Sequence, residues 1–283
     1  TIGKPIKIQT HKKPKINIIL FIDGLCHFSE YLTDKEVNQI IPNTLNFFQD
    51  SVFFENCFSN SEWTLPSTAS ILTGKYQYNH GFFHPKRNHY LQNNLTLNHI
   101  FRKNDFTTFY IGGGWRNSPQ YGYINSIDRA LFKRYMKADD VISYSIDHLS
   151  GLKSNNHFMQ LCFLELHHLL GVTPDFSSQI DLDIEGHNVT PWHDNENKKK
   201  SLFFEKQDHL IQIYINQLKK LDSKLEMFYD YLEKNFDKNQ LVISLISDHG
   251  QSYLSSDKNN LNDARLKVPW ILKYPGSSYR KIN

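Results

Sequence analysis

The segment Ile16 to Ile22, INIILFI, is apolar at six of seven positions, four of them β-branched, and is closed by Asp23-Gly24. A run of this kind carries apolar side chains on both faces and has to be covered from both sides, the situation of a strand inside a parallel sheet. Similar runs recur at Thr107 to Ile111, Phe158 to Leu164, Leu241 to Ile246 and Val268 to Leu272, and the stretches between them show helical spacing. The clearest helix lies within Leu202 to Phe236. There Tyr214, Leu218, Leu221, Leu225, Phe228 and Leu232 recur at alternating steps of four and three and form one apolar stripe. Strands alternating with helices predict an α/β fold, a doubly wound, mostly parallel sheet with helices on both faces. Ligands of such sheets collect at the carboxyl ends of the strands, where Asp23 and Asp248 stand.

The 283 residues include 39 aromatics (20 Phe, 15 Tyr, 4 Trp), enough bulk for one large core. Residues 16–283 therefore read as one domain behind a polar, basic lead-in over 1–15. The chain opens on Thr1 rather than Met and reads as a piece of a longer protein. Lys plus Arg (32) against Asp plus Glu (29) leaves a net charge of +3, too small to point to nucleic acid. An anionic ligand then has to be met by a local site. Cys26, Cys57 and Cys162 lie far apart, which indicates neither a disulfide framework nor a zinc knuckle. No apolar run reaches the roughly 18 residues of a membrane-spanning helix, and no signal-peptide core is found. Gly171 to Lys200 is polar and aperiodic, and is expected to be a long loop over the site.

Asp23, Thr64, Asp248 and His249 combine ligand chemistry with favourable positions. Two carboxylates and an imidazole suit a zinc or manganese ion, with a hydroxyl completing the shell. An Asp after a strand also serves as a turn former or helix cap, so each residue alone is ambiguous. Thr64 opens Thr64-Leu65-Pro66-Ser67-Thr68-Ala69-Ser70-Ile71-Leu72-Thr73-Gly74, which reads as a helix with Thr64 as N-cap and Gly74 as stop. A hydroxyl there also sits where free N–H groups and the helix dipole favour an anion, so it serves equally as a nucleophile facing phosphate or sulfate. The residues alone leave both roles open.

Several blocks keep one order along the chain: Asn17 to Asp23-Gly24, Pro42-Asn43, Val52 to Asn56, Trp63 to Ser67, Leu72 to Tyr76, His80-Gly81, Tyr214, Leu221-Asp222, Leu241 to Gly250 and Val268-Pro269 to Pro275-Gly276. Together they resemble the sulfatase-like branch of the alkaline phosphatase superfamily over nearly the whole chain. The resemblance implies that residues 16–283 form a catalytic domain in which Asp23, Thr64, Asp248 and His249 bind one divalent metal ion (Zn, Mn or Ca). It also makes Thr64 the covalent nucleophile. Leu164-Glu165-Leu166-His167 stands where many members have Leu-Asp-Pro-His, which implies His167 as general acid or phosphate donor, with His168 beside it as a substrate contact. Glu165 is the alternative, as a ligand to a second metal. His80, with His84 beyond it, is a candidate pocket residue, and Arg116 after Gly112-Gly113-Gly114 is a candidate cation in place of the family's Lys.

True sulfatases carry Cys or Ser, oxidised to formylglycine, where this chain has Thr64, and Arg where it has Thr68. Members with an unmodified Thr are phosphodiesterases and phosphoethanolamine or phosphoglycerol transferases. The resemblance thus implies hydrolysis or transfer of a phosphate-type ester through a covalent Thr64 intermediate. Held against it are sulfate-ester hydrolysis without formylglycine, and a non-catalytic domain that holds a polyanionic glycan. Family analogy further implies an envelope lipid or glycan as substrate and an extracytoplasmic or periplasmic location.

Overall fold

The computed structural model describes residues 9–83, 91, 94–114, 117, 121–123, 125–167, 208–257, 259 and 261–283. In chain order the elements are β1 (Ile16–Ile22), α1 (Asp34–Ile40), α2 (Pro42–Phe47), β2 (Val52–Phe54), α3 (Thr64–Thr73), α4 (Gln77–His80), α5 (Leu97–Lys103), β3 (Thr107–Gly112) and β4 (Arg129–Phe132). They continue as α6 (Ala138–Gly151), β5 (His157–Phe163), α7 (Asp208–Asn235), β6 (Leu241–Ile246), α8 (Asp263–Leu266), β7 (Trp270–Lys273) and β8 (Arg280–Ile282).

The eight strands form one sheet in the order β4-β3-β5-β1-β6-β7-β2-β8. From β4 to β6 every pairing is parallel; β7 runs antiparallel to both β6 and β2, and β8 is parallel to β2. The mostly parallel sheet expected from the apolar runs is the one found. The runs at Ile16–Ile22 and Leu241–Ile246 are found with those bounds, the other three shift by one or two residues, and the Val268 to Leu272 run becomes the antiparallel β7. β2, β4 and β8 are short or exposed strands that carry no run of their own.

Alternation along β1 divides the core. Ile16, Ile18, Leu20 and Ile22 face one layer with Met159, Leu161 and Phe163 of β5, Val141, Ile142 and Leu149 of α6, and the stripe of α7. Ile19 and Phe21 face the other layer with Tyr110, Cys162 and Ile71 of α3, where Phe101 of α5 also stacks on Phe158 at 4.0 Å. Helices thus cover both faces. All six stripe residues of α7 are buried, each stabilising by about 2 kcal/mol.

The same helix supplies two polar struts. Asp222, buried behind Leu221, accepts hydrogen bonds from Asn43 N at 3.1 Å and Thr44 N at 2.8 Å, so it caps α2, whose own N-cap Ile41 has no capping side chain. Tyr214 Oη donates to Gly24 O and accepts from Cys26 N, both at 3.0 Å, which pins the turn after β1. The end of the lead-in touches the domain at a few points and is otherwise exposed: Pro14 is buried, and Asn155 Nδ2 donates to Gln9 O at 2.7 Å. The 171–200 loop and the first residues of the Leu202 to Phe236 helix lie outside the described residues.

Replacing Asp222 leaves two helix-start N–H groups without their acceptor. Asp222→Ala is expected to lower stability by about 2 kcal/mol in urea unfolding. A change below about 0.5 kcal/mol would remove Asp222 from the capping role.

Candidate active site

Three adjacent strands deliver the site. β1 lies between β5 and β6, with Ile22 beside Phe163 and Phe21 beside Ile246. The residues that follow each strand, Asp23, Leu164 to His167, and Ser247 to His249, therefore meet at the carboxyl edge of the sheet. Gly24 turns the chain at φ +80°, a conformation that side-chain-bearing residues rarely adopt. Its N–H donates to Asp248 Oδ1 at 3.2 Å, joining positions 224 residues apart.

Thr64 enters from α3. It is the first helical residue rather than the cap: Trp63 is the N-cap and gives no side-chain hydrogen bond. The Thr64 hydroxyl is therefore turned to the strand ends, where Oγ1 donates to Asp23 Oδ2 at 3.3 Å and lies 3.5 Å from His249 Nε2. The helix stops at Gly74 in the left-handed conformation, as the segment's pattern predicts. Tyr123 Oη donates to Leu65 O at 2.5 Å, and Ser59 Oγ hydrogen-bonds Asp248 O and lies 3.0 Å from Ser67 Oγ. These contacts tie the first turn of α3 to the loop after β6.

His249 Nε2 stands 3.7 Å from Asp23 Oδ1 and 3.4 Å from Asp248 Oδ2. Its Nδ1 is 2.9 Å from Gly250 O, and a carbonyl only accepts, so Nδ1 carries a proton and Nε2 is the ring nitrogen turned to the carboxylates. His167 Nε2 lies 3.7 Å from Asp23 Oδ1, and its ring centre is 5.8 Å from that of His249. Asp23, His167 and His249 each place one donor atom within 4.8 Å of the others. His167 is the most accessible of the group, with its side chain 14% exposed, while those of Asp23, Asp248 and His249 are buried.

Burial raises the Asp248 carboxyl from its ordinary value of 3.8 to about 6, against the opposing pull of the Gly24 N–H and the Thr64 hydroxyl. Asp248 Oδ2 is buried and accepts no hydrogen bond. Asp23, His167 and His249 form a possible ligand set for a divalent cation, and Asp248 stands beside it, with Oδ2 3.4 Å from His249 Nε2. Mixed oxygen and nitrogen donors suit Zn or Mn better than the all-oxygen shell that Ca favours.

Of the other sequence candidates, His80 and Glu165 have hydrogen-bond partners of their own. His80 is occupied by its own surroundings: Nε2 is 3.2 Å from Ser70 Oγ, Nδ1 accepts from Phe82 N at 3.0 Å, and burial lowers its pKa. Glu165 Oε1 accepts from Ala138 N at 2.5 Å, so this carboxylate caps α6. Arg116, His168 and His84 lie outside the described residues. Sequence reasoning singled out Tyr214 for its place in the stripe and the resemblance but not for its hydrogen bonds to the Gly24 turn, and it did not find Ser59 or Gln251, which leave no spacing pattern.

Fold and site together define a doubly wound α/β domain with a buried carboxylate, imidazole and hydroxyl centre at its carboxyl edge. The model of the family described as Sulfatase matches residues 33–283, and the chain belongs to that family. The match includes Thr64, His167, Asp248 and His249; Asp23 lies upstream of it. The extracellular sulfatase SULF-1 homolog of Drosophila melanogaster is 22% identical over 324 aligned positions, covering 96% of this chain and 28% of that protein. The chain therefore spans little more than a quarter of that curated relative. Among solved structures, a 2-O GAG sulfatase matches with TM-score 0.68 and 14% identity over 96% of this chain and 66% of its own. The lipoteichoic acid synthase LtaP from Listeria monocytogenes matches with TM-score 0.65 and 13% identity over 96% of this chain and 68% of its own. At such identities these two likenesses speak for the fold alone.

The raised Asp248 pKa has a consequence for the metal-free protein. Between about pH 4 and pH 6 the unfolded chain has released this proton while the folded chain still holds it, so stability falls as pH rises through that window. Urea unfolding in the presence of a chelator is expected to show the fall in the native protein and to lose it in Asp248→Asn. Equal slopes in the two proteins would assign the pH dependence to other groups.

Proposed function

We propose that this chain is the core of a metal-dependent hydrolase or transferase that acts on phosphate-type esters through a covalent intermediate on Thr64. The observation that carries the reading is the Thr64 hydroxyl, buried at the first turn of α3 and 3.3 Å from Asp23 Oδ2 and 3.5 Å from His249 Nε2. Asp23, Asp248, His249 and Thr64 Oγ1 are the residues to hold a divalent ion. When bound, such an ion supplies positive charge that favours the Thr64 alkoxide and the charge on the phosphoryl oxygens.

The chain's own groups do the rest. Thr64 Oγ1, its proton released to solvent beforehand, attacks phosphorus as the alkoxide, a P–O bond to the leaving group breaks, and a proton from His167 Nε2 goes to the departing oxygen. A water or an acceptor hydroxyl then attacks the phosphothreonine, gives its proton back to His167 and returns the Thr64 alkoxide. The start of α3 has no side-chain cap, so its free N–H groups and positive dipole end face the anion. Asp23 Oδ1 lies 3.7 Å from His167 Nε2, the atom to which this role assigns the proton.

Thr64 also supports phosphate over sulfate, because oxidation of a Thr side chain does not give the aldehyde that sulfate release by the formylglycine route requires. Sulfate esters are the second reading, favoured by the family itself. The extracellular relative supports an extracytoplasmic setting, and a glycan or envelope lipid is the substrate class proposed by family analogy. No helix among the described residues is long and apolar enough to cross a membrane.

Thr64→Ala is expected to abolish turnover and keep the fold, since Thr64 is not the helix cap. An aryl phosphodiester is expected to turn over at least about tenfold faster than the matched aryl sulfate at equal metal loading, a barrier difference of about 1.4 kcal/mol. Retained activity in Thr64→Ala, or a clear preference for the sulfate, would overturn the reading.

A further inference from the structure

Gln251 is buried two residues beyond His249, and its amide lies where the three site-bearing turns meet. Nε2 donates to Leu166 O at 3.2 Å, the carbonyl of the peptide that enters His167. Oε1 accepts from Arg265 Nη1 at 3.2 Å, and the same guanidinium nitrogen donates to Gly250 O at 2.8 Å. Gly250 O is also the acceptor that fixes the His249 tautomer. Against the third turn the amide packs without a hydrogen bond. Nε2 lies 2.6 Å from where a Cβ on Gly24 would stand, and Leu166 O and His167 Cα are each 3.3 Å from that same point.

The orientation of this amide is dictated. A guanidinium only donates and a carbonyl only accepts, so the oxygen must face Arg265 and the nitrogen Leu166 O. Glu, the nearest isostere, would set a carboxylate oxygen against the carbonyl. An apolar side chain of the same size would fill the space and lose both bonds. Burying a primary amide is costly unless it is paired, and here both of its ends are paired with backbone or side chains of the site-bearing segments.

We infer that Gln251 is a positioning residue. It locks the Gly24 turn, the Leu166-His167 turn and the His249-Gly250 loop against one another, and so sets the donor geometry that Asp23 and His249 offer to a metal and the place of His167 beside them. The inference rests on the metal-site reading above. It places Gln251 among the outer-layer partners whose loss weakens metal affinity by about 10–100-fold.

The test is titration of the metal-free protein with Zn²⁺ alone by calorimetry, joined to the visible spectrum of the Co²⁺-loaded protein. Gln251→Met is the first variant, because it conserves volume and removes both hydrogen bonds. The expected result is Zn²⁺ affinity at least about tenfold weaker than in the native protein, an altered Co²⁺ band, and a native circular dichroism spectrum. If Gln251→Met does not fold, Gln251→Glu decides. It keeps the Arg265 bond, replaces the donation to Leu166 O with a carboxylate oxygen set against that carbonyl, and is expected to weaken Zn²⁺ and alter the Co²⁺ band in the same direction. Native affinity and an unchanged Co²⁺ band in the variant, even with a lowered melting temperature, would make Gln251 a packing residue and overturn the inference. A native protein that binds neither ion would overturn the metal-site reading together with it, so the two failures are distinguishable.

Discussion

Two carboxylates, Asp23 and Asp248, are buried beside one another at the ends of adjacent parallel strands, and both lie within 4 Å of the same imidazole nitrogen, His249 Nε2. Like charges held this closely away from water repel and lose hydration, so the arrangement persists only where the surrounding structure enforces it or a cation neutralises it. The enforcement is visible. Gly24 donates its N–H to Asp248, Tyr214 holds the Gly24 turn from α7, and Ser247 Oγ spans Leu25 N and His249 O at 3.0 and 2.9 Å. The largest helix of the fold is thus both the main apolar partner of the sheet and a clamp on the turn that carries Asp23.

The central sheet was legible because β1, β5 and β6 are covered on both faces, and double coverage writes a nearly unbroken apolar run into the sequence. β2 and β8 have three residues each and β4 has four exposed or half-exposed ones, so none buries enough to impose a pattern. The direction of β7 was likewise silent, since an apolar run reads the same for parallel and antiparallel neighbours. The α7 stripe identified a packed helix because its period survives over five turns. The same pattern concealed Asp222, a polar residue inside the stripe that faces α2 and caps it.

At the site, strand-end position and family resemblance singled out Asp23, Thr64, Asp248, His249 and His167, and geometry assembles all five. The helix signal at Thr64 was read one residue late: Trp63 takes the cap position, which turns the hydroxyl toward Asp23 instead of spending it on the helix. Residues such as Gln251 and Ser59 were invisible because their partners, main-chain atoms together with Arg265 and Ser67, are brought near only by the folded chain. His80 and Glu165 resembled site residues in sequence, yet their side chains meet Ser70, Phe82 and Ala138.

Anomalous diffraction from crystals of the protein loaded with Mn²⁺ or Zn²⁺ tests the centre most directly. The account predicts a single strong peak bounded by Asp23, Asp248, His249 and Thr64 Oγ1, with ligand atoms at about 2.0–2.6 Å. A loaded crystal with no peak there, the carboxylates of Asp23 and Asp248 still facing each other without an ion, would contradict it.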